Sequence, residues 1–127
     1  MAQKVSILNK SKGTLPRVPF SRIKDVALGP SYDLSLAFVG DAESRRINQR
    51  SRGKSYVPNV LSFELSPDSG EIFINPAEAR RQAPGFGRSY RSMIAFLYIH
   101  ALCHLKGMHH GSTMEKSEAR LRKRFGI

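Results

Sequence analysis

Ser89-Tyr90-Arg91-Ser92-Met93-Ile94-Ala95-Phe96-Leu97-Tyr98-Ile99-His100-Ala101-Leu102-Cys103-His104-Leu105, continuing into Lys106-Gly107-Met108-His109-His110-Gly111, is the stretch from which the rest of the chain can be placed. Met93, Ile94, Phe96, Leu97, Ile99 and Leu102 leave the segment from about Ser89 to Leu105 with almost no polar side. A helix apolar nearly all round is buried in the core. His100 and His104 are four apart, so they return to almost the same face one turn along. Gly107 follows where a helix can end in a left-handed glycine and the chain can fold back. His110 can then approach the other two. Three imidazoles from a helix and its C-terminal turn leave a fourth tetrahedral position for water, the arrangement of catalytic zinc. Nickel, cobalt or iron would accept the same donors. A helix with merely exposed histidines is the alternative, but all four histidines of the chain fall between His100 and His110.

Around this helix the pattern predicts an α+β fold: one compact domain over 1–127, a small mixed four-stranded sheet packed with helices, and the histidine motif on the buried central helix. Val5 to Leu8 reads as a first strand. Phe20 to Leu28 reads as a helix stopped by Gly29-Pro30. Leu34 to Val39 alternates and then becomes continuously apolar, as a central strand does. Asp41 is a candidate cap for a helix running towards Gly53. Val60–Leu65 and Glu71–Ile74 form a strand pair, because Ser66-Pro-Asp-Ser-Gly70 is turn-forming throughout. Pro76 opens a short helix ending near Pro84, and a basic helix from Thr113 to Arg124 closes the chain.

Charge points to the partner. A formal net charge of +11 on 127 residues calls for a polyanion. The cations lie in acid-free runs: Lys4, Lys10, Lys12, Arg17, Arg22 and Lys24 first, then Arg45, Arg46, Arg50, Arg52 and Lys54, then Arg80, Arg81, Arg88, Arg91 and Lys106 near the histidines. Such runs can be mere solvated faces or can meet a membrane surface. Two of them flank the proposed metal site, which favours RNA held through its phosphates. No apolar run approaches the ~20 residues of a membrane span. The opening Met1-Ala-Gln-Lys-Val-Ser-Ile has no apolar signal region, so a cytoplasmic location is expected. The single cysteine, Cys103, cannot form an internal disulfide; it reads as a buried small hydrophobe rather than a fourth ligand.

The histidine spacing also occurs in zinc proteases, where a glutamate follows the first histidine as general base. Here that position is Ala101, and no acidic residue occurs from Ala79 through Met114. A peptidase would have to recruit Glu64 or Glu71 from elsewhere.

His100-Ala-Leu-Cys-His104-Leu-Lys-Gly107-Met-His-His110 resembles the signature of the YbeY family of bacterial metal-dependent endoribonucleases. A second block agrees. Ser51-Arg52-Gly53-Lys54 and Pro58-Asn59-Val60-Leu61-Ser62-Phe63 are similar to that family's Arg-Gly-Lys segment and its Asn/Asp-Val-Leu-Ser-Phe strand, and Gly70-Glu71-Ile72 resembles the start of the next strand. The resemblance runs from about Asp33 to His110. It implies an endoribonuclease acting in ribosomal RNA (16S) maturation and ribosome quality control, with ribosomal RNA and ribosomal subunits as partners. It also implies that Arg52 contacts the scissile phosphate, with Lys54, Arg45, Arg46 and Arg50 holding the flanking backbone. Three positions depart from the family pattern. His109 stands where aspartate is usual and reads as a partner to the metal site or as an exposed residue. Ala101 replaces a glycine. Lys116, Arg120, Arg122, Lys123 and Arg124 replace an acidic helix, a change expected to alter the outer surface more than the chemistry.

With no RNA-recognition-motif aromatics, no zinc knuckle and no tryptophan, the sequence predicts cleavage of single-stranded or unpaired RNA with little base preference. Tyr56, Phe86 and Tyr90 lie near the basic runs and can either stack on bases or belong to the core. Asn59 reads as a turn or strand-edge residue. The competing reading is a non-catalytic RNA- or ribosome-binding module, whose structural zinc would be closed by a fourth protein ligand from Cys103 or His109.

Overall fold

The computed structural model describes residues 4–127; residues 1–3, part of the opening read for a leader, lie outside it. The elements follow in the expected α+β order: β1 (Ser6–Asn9), α1 (Phe20–Leu28), β2 (Asp33–Phe38), α2 (Asp41–Arg52), β3 (Val60–Ser66), β4 (Ser69–Ile74), α3 (Pro76–Gln82), a 3-10 turn (Ala83–Phe86), α4 (Tyr90–Leu105) and α5 (Ser112–Phe125). The sheet has the order β1-β2-β4-β3. β1, β2 and β4 run parallel and β3 is antiparallel to β4, so the sheet is mixed. The β3–β4 turn is tighter than its composition implies. Ser66 already pairs with Ser69, because the Ser66 hydroxyl bonds Asp68 Oδ1 at 2.8 Å and Ser69 Oγ at 2.7 Å.

The central helix is buried as its composition requires. Met93, Ile94, Ala95, Leu97, Tyr98, Ile99, Ala101, Leu102 and Cys103 are all inside, and Ser89 caps its start by accepting from the Ser92 amide at 3.1 Å. α4 packs against α1, α3, α5, β3 and β4. Tyr98 satisfies its buried hydroxyl by donating to the Phe20 carbonyl at 2.8 Å, its ring meeting Phe20 edge-on at 4.9 Å. Gly70 explains how α4 comes so near the sheet. A Cβ there would lie 2.5 Å from Tyr32 Oη, 3.0 Å from Leu105 Cδ2 and 3.1 Å from the Phe63 carbonyl oxygen. Leu105 follows a histidine of the motif, so this approach also sets the height of the site above the sheet.

Two local expectations fail. Asp41 does not cap α2; Gly40 occupies that position. The Asp41 carboxylate instead accepts from Asn75 Nδ2 at 2.8 Å and Arg81 Nη2 at 2.7 Å, tying α2 to α3. The hydrogen bond from Arg81, then that from Asn75, holds its pKa below the ordinary carboxylate value. Lys24, one of the first basic run, is fully buried. Its ammonium donates to the carbonyls of Pro30 and Tyr32 at 3.0 Å and sits 2.8 Å from Asp25 Oδ1. It closes the end of α1 and is not presented to a phosphate. No helix among the described residues is long and apolar enough to cross a membrane.

Candidate metal centre and its cleft

The end of α4 folds back as the glycine predicts. The Gly107 amide donates to the His104 carbonyl at 2.9 Å and the Met108 amide to the Cys103 carbonyl at 3.1 Å. These are the paired bonds of a Schellman turn, with Gly107 at φ 95° in the conformation that a side chain would oppose. The reversal carries His110 onto the face shared by His100 and His104. One ring nitrogen from each of the three lies within 4.8 Å of the others, so the group could hold a metal ion.

The donor set fits zinc. A tetrahedral site with Zn–N bonds of 2.0–2.1 Å separates its nitrogens by about 3.3 Å. His100 Nε2 and His104 Nε2 are 3.2 Å apart, and the His110 ring centroid is 5.2 Å and 4.9 Å from theirs. His110 is exposed and lies on the turn, with its ligand nitrogen within 4.8 Å of the other two. His104 has its pKa lowered by burial first and then by the neighbouring His100 and His110. That favours the neutral form a metal requires.

Behind His100 stands a residue the sequence reading did not single out. Glu118 of α5 is 6% exposed, and its Oε1 and Oε2 lie 3.2 Å and 3.4 Å from His100 Nδ1. The carboxylate therefore holds the ring with Nε2 turned inward, the outer support that ligating histidines ordinarily have. The basic residues of the C-terminal helix were expected to alter the outer surface more than the chemistry; beside them, its Glu118 brings one face of that helix to the candidate centre. The signal was present: Met114, Glu118 and Leu121 follow helical spacing, and a glutamate inside an apolar stripe asks for a buried partner.

The three histidines line a cleft of about 680 Å³. Its other walls come from Arg52, Tyr56, Asn59, the β3 residues Val60–Glu64, Gln82, Phe86 and Phe96. Arg52, exposed at the end of α2, has its Nη1 3.0 Å from Tyr56 Oη and 3.4 Å from Asn48 Oδ1. Asn48 is fully buried and donates in turn to the Tyr56 carbonyl at 3.1 Å. The guanidinium is thus braced from behind, and Tyr56 serves it rather than the core. Asn59 donates to Gln82 Oε1 at 2.8 Å on the same wall. Arg45, Arg46, Arg50 and Lys54 are exposed on α2 and the loop after it, outside the cleft lining. Cys103 is buried away from the triad, and burial pushes its thiol up to about 11. His109 is exposed and outside the cluster. Glu64 lines the cleft but Glu71 does not.

A family model described as endoribonuclease YbeY matches residues 9–125. The endoribonuclease YbeY of Alkaliphilus metalliredigens is 34% identical over 105 residues, covering 74% of this chain and 68% of that protein. That of Solibacter usitatus is 37% identical over 108 residues, covering 82% and 72%. The solution structure of TM1509 from Thermotoga maritima has a TM-score of 0.68 over 96% of this chain and 89% of its own, and at 22% identity this likeness concerns the fold. The family match spans the chain from the end of β1 to the end of α5, taking in the cleft, its arginine and all three converging histidines, and on that ground the chain belongs to the endoribonuclease YbeY family.

Proposed function

We propose that this protein is a zinc-dependent endoribonuclease that hydrolyses single-stranded RNA, with ribosomal RNA as substrate in 16S maturation and ribosome quality control. The observation that carries this reading is the convergence of three imidazoles in a cleft whose wall also presents a braced arginine. Among the described residues no fourth protein donor joins the group. A structural zinc would be closed by one. Cys103 and His109 both stand outside, which favours hydrolysis over a non-catalytic ribosome-binding module. The ribosomal substrate rests on family membership.

His100, His104 and His110 would hold the ion, with Glu118 fixing the first of them. Bound there, a divalent cation supplies Lewis acidity towards a phosphoryl oxygen or a water. Arg52 directs its planar fork at a non-bridging phosphate oxygen and stabilises the charge that builds on it. Its bracing by Tyr56 and Asn48 removes part of the ordering cost before substrate arrives. Arg45, Arg46, Arg50 and Lys54 hold flanking phosphates through screened, sequence-independent contacts. His100 and His104 are half-buried; a flexible strand can bring one phosphate down to them, whereas a stiff A-form duplex cannot.

The test is digestion of one labelled RNA, free and annealed, by metal-loaded protein. The free strand should be cut and the duplex spared. His104→Ala should lose both metal, by elemental analysis, and cleavage. Arg52→Ala should keep its RNA affinity within a few fold while the single-turnover rate falls ~10²–10³-fold. Equal cutting of duplex and free strand would refute strand selectivity. Binding of RNA without cleavage, with metal present, would establish the non-catalytic module.

A further inference from the structure

Phe96 precedes His100 by four residues of α4, about 6 Å along the axis, and lines the same cleft. Two guanidiniums flank its ring. Arg88 Cζ lies 4.5 Å and Arg122 Cζ 5.2 Å from the ring centroid. Arg88 is held by donating from Nη1 to Ser92 Oγ at 2.8 Å. Arg122 comes from α5, one turn beyond Glu118, so α4 and α5 face each other in two rungs: His100 with Glu118, then Phe96 with Arg122. The Phe86 ring lies 5.6 Å from that of Phe96 and is 52% exposed.

The two arginines are poorly neutralised. The carboxylate nearest Arg122 is that of Glu118, 4.0 Å from Nη1 and already engaged with His100. Arg122 Nη1 is shut off from solvent and has no hydrogen-bond acceptor among the described residues. Arg88 forms no salt bridge among the described residues, and its pKa is pushed down by burial and then by the charge of Arg122. Two like charges beside one ring are relieved by an anion, which meets the 21% of the Arg122 side chain that is exposed rather than its buried Nη1. A phosphate suits them, because its oxygens can accept from two planar forks at once. An exposed aromatic ring beside them suits a planar base rather than an acidic side chain.

We propose that Arg88 and Arg122 form a subsite for the phosphodiester adjacent to the scissile one, with Phe86 offering its ring to the base of that nucleotide. This rests on the endoribonuclease reading and adds the path of the strand, from the histidines along α4 towards its N-terminus.

The test uses metal-loaded protein and fluorescently labelled 2′-O-methyl oligouridylate hexamers, each with a single linkage replaced by uncharged methylphosphonate. Binding is read by anisotropy and hexamer integrity by gel. Arg88→Gln should weaken the unmodified hexamer about tenfold, the worth of a charged hydrogen bond. At one linkage only, the neutral substitution should already have removed that loss, so that Arg88→Gln adds nothing further. Arg122→Gln, with its metal content verified, should couple to the same linkage. Lys116→Gln, an exposed charge change on α5, should be additive at every linkage. If Arg88→Gln is also additive throughout, the subsite is refuted while the endoribonuclease reading stands. If the unaltered protein binds no hexamer at all, both fall together.

Discussion

Replacing Glu118 by glutamine isolates what the buried carboxylate does for the candidate centre. The side chain keeps its volume and one acceptor oxygen, so the packing between α4 and α5 is preserved. What it loses is negative charge on both oxygens, now 3.2 Å and 3.4 Å from His100 Nδ1. Removing the outer partner of a metal-bound histidine typically lowers metal affinity about 10–100-fold. Glutamine can still accept one hydrogen bond, and a neutral bond has roughly half the strength of a charge-assisted one. The expected loss for Glu118→Gln is therefore near tenfold, ~1.4 kcal/mol. Glu118→Ala removes the acceptor altogether and should approach the ~100-fold end of that range. Competition against a chromophoric zinc chelator reads these affinities directly. Thermal melts of the metal-free variants report separately whether folding has suffered. If Glu118→Gln binds zinc within twofold of the unaltered protein while His104→Ala does not, the carboxylate does not orient the ligand. If His104→Ala also keeps its zinc, the triad is not the metal site.

Three further substitutions test the frame that carries the cleft. Gly70→Ala should destabilise by about 1–3 kcal/mol through overpacking against Tyr32 Oη, Leu105 and the Phe63 carbonyl; an unchanged urea midpoint would mean that α4 can shift away from the sheet. Lys24→Met should cost ~2 kcal/mol or more, because it leaves the buried Tyr32 carbonyl, and beside it that of Pro30, without their donor; a higher melting temperature would refute that account. The Asp41 pKa is held down in the fold, chiefly by Arg81. Its stabilising share is therefore present above the unfolded carboxylate value of ~3.9 and lost as pH falls through the folded value. Urea midpoints of the unaltered protein and Asp41→Asn should accordingly converge on acidification, and a constant gap down to about pH 2 would contradict this.

The parts of the molecule that were legible in the sequence depend on near neighbours in the chain. A helix with no polar side can only be central, and His-x3-His followed by a glycine fixes two ligands and a reversal within a few residues. The strand pair could be read because its turn residues stand between two apolar runs. The errors arise where a side chain has a choice of partners. Asp41 stands at a helix start and its local option is to cap; the geometry instead gives it Asn75 and Arg81, more than thirty residues away. Lys24 is charged and so reads as surface, yet the chain around Gly29-Pro30 folds three carbonyl acceptors over its buried ammonium, that of Tyr32 in the interior.

The same distinction separates the residues of the site that were foreseen from those that were not. The histidines are recognised by type and spacing, since those properties bear directly on a metal, and Arg52 only through the family-like Arg-Gly-Lys segment that contains it. Glu118, Asn48 and Gln82 act on another side chain rather than on a ligand, and their positions in the chain carry no comparable pattern. Each is reached only once α5, α2 and α3 are set against the cleft. Glu118 is the partial exception, because a carboxylate in the apolar stripe of a helix cannot be buried alone. In a chain whose formal net charge is +11, that stripe identifies which of ten acidic residues must face inward. The half-buried imidazole of His100 is the group positioned to receive it.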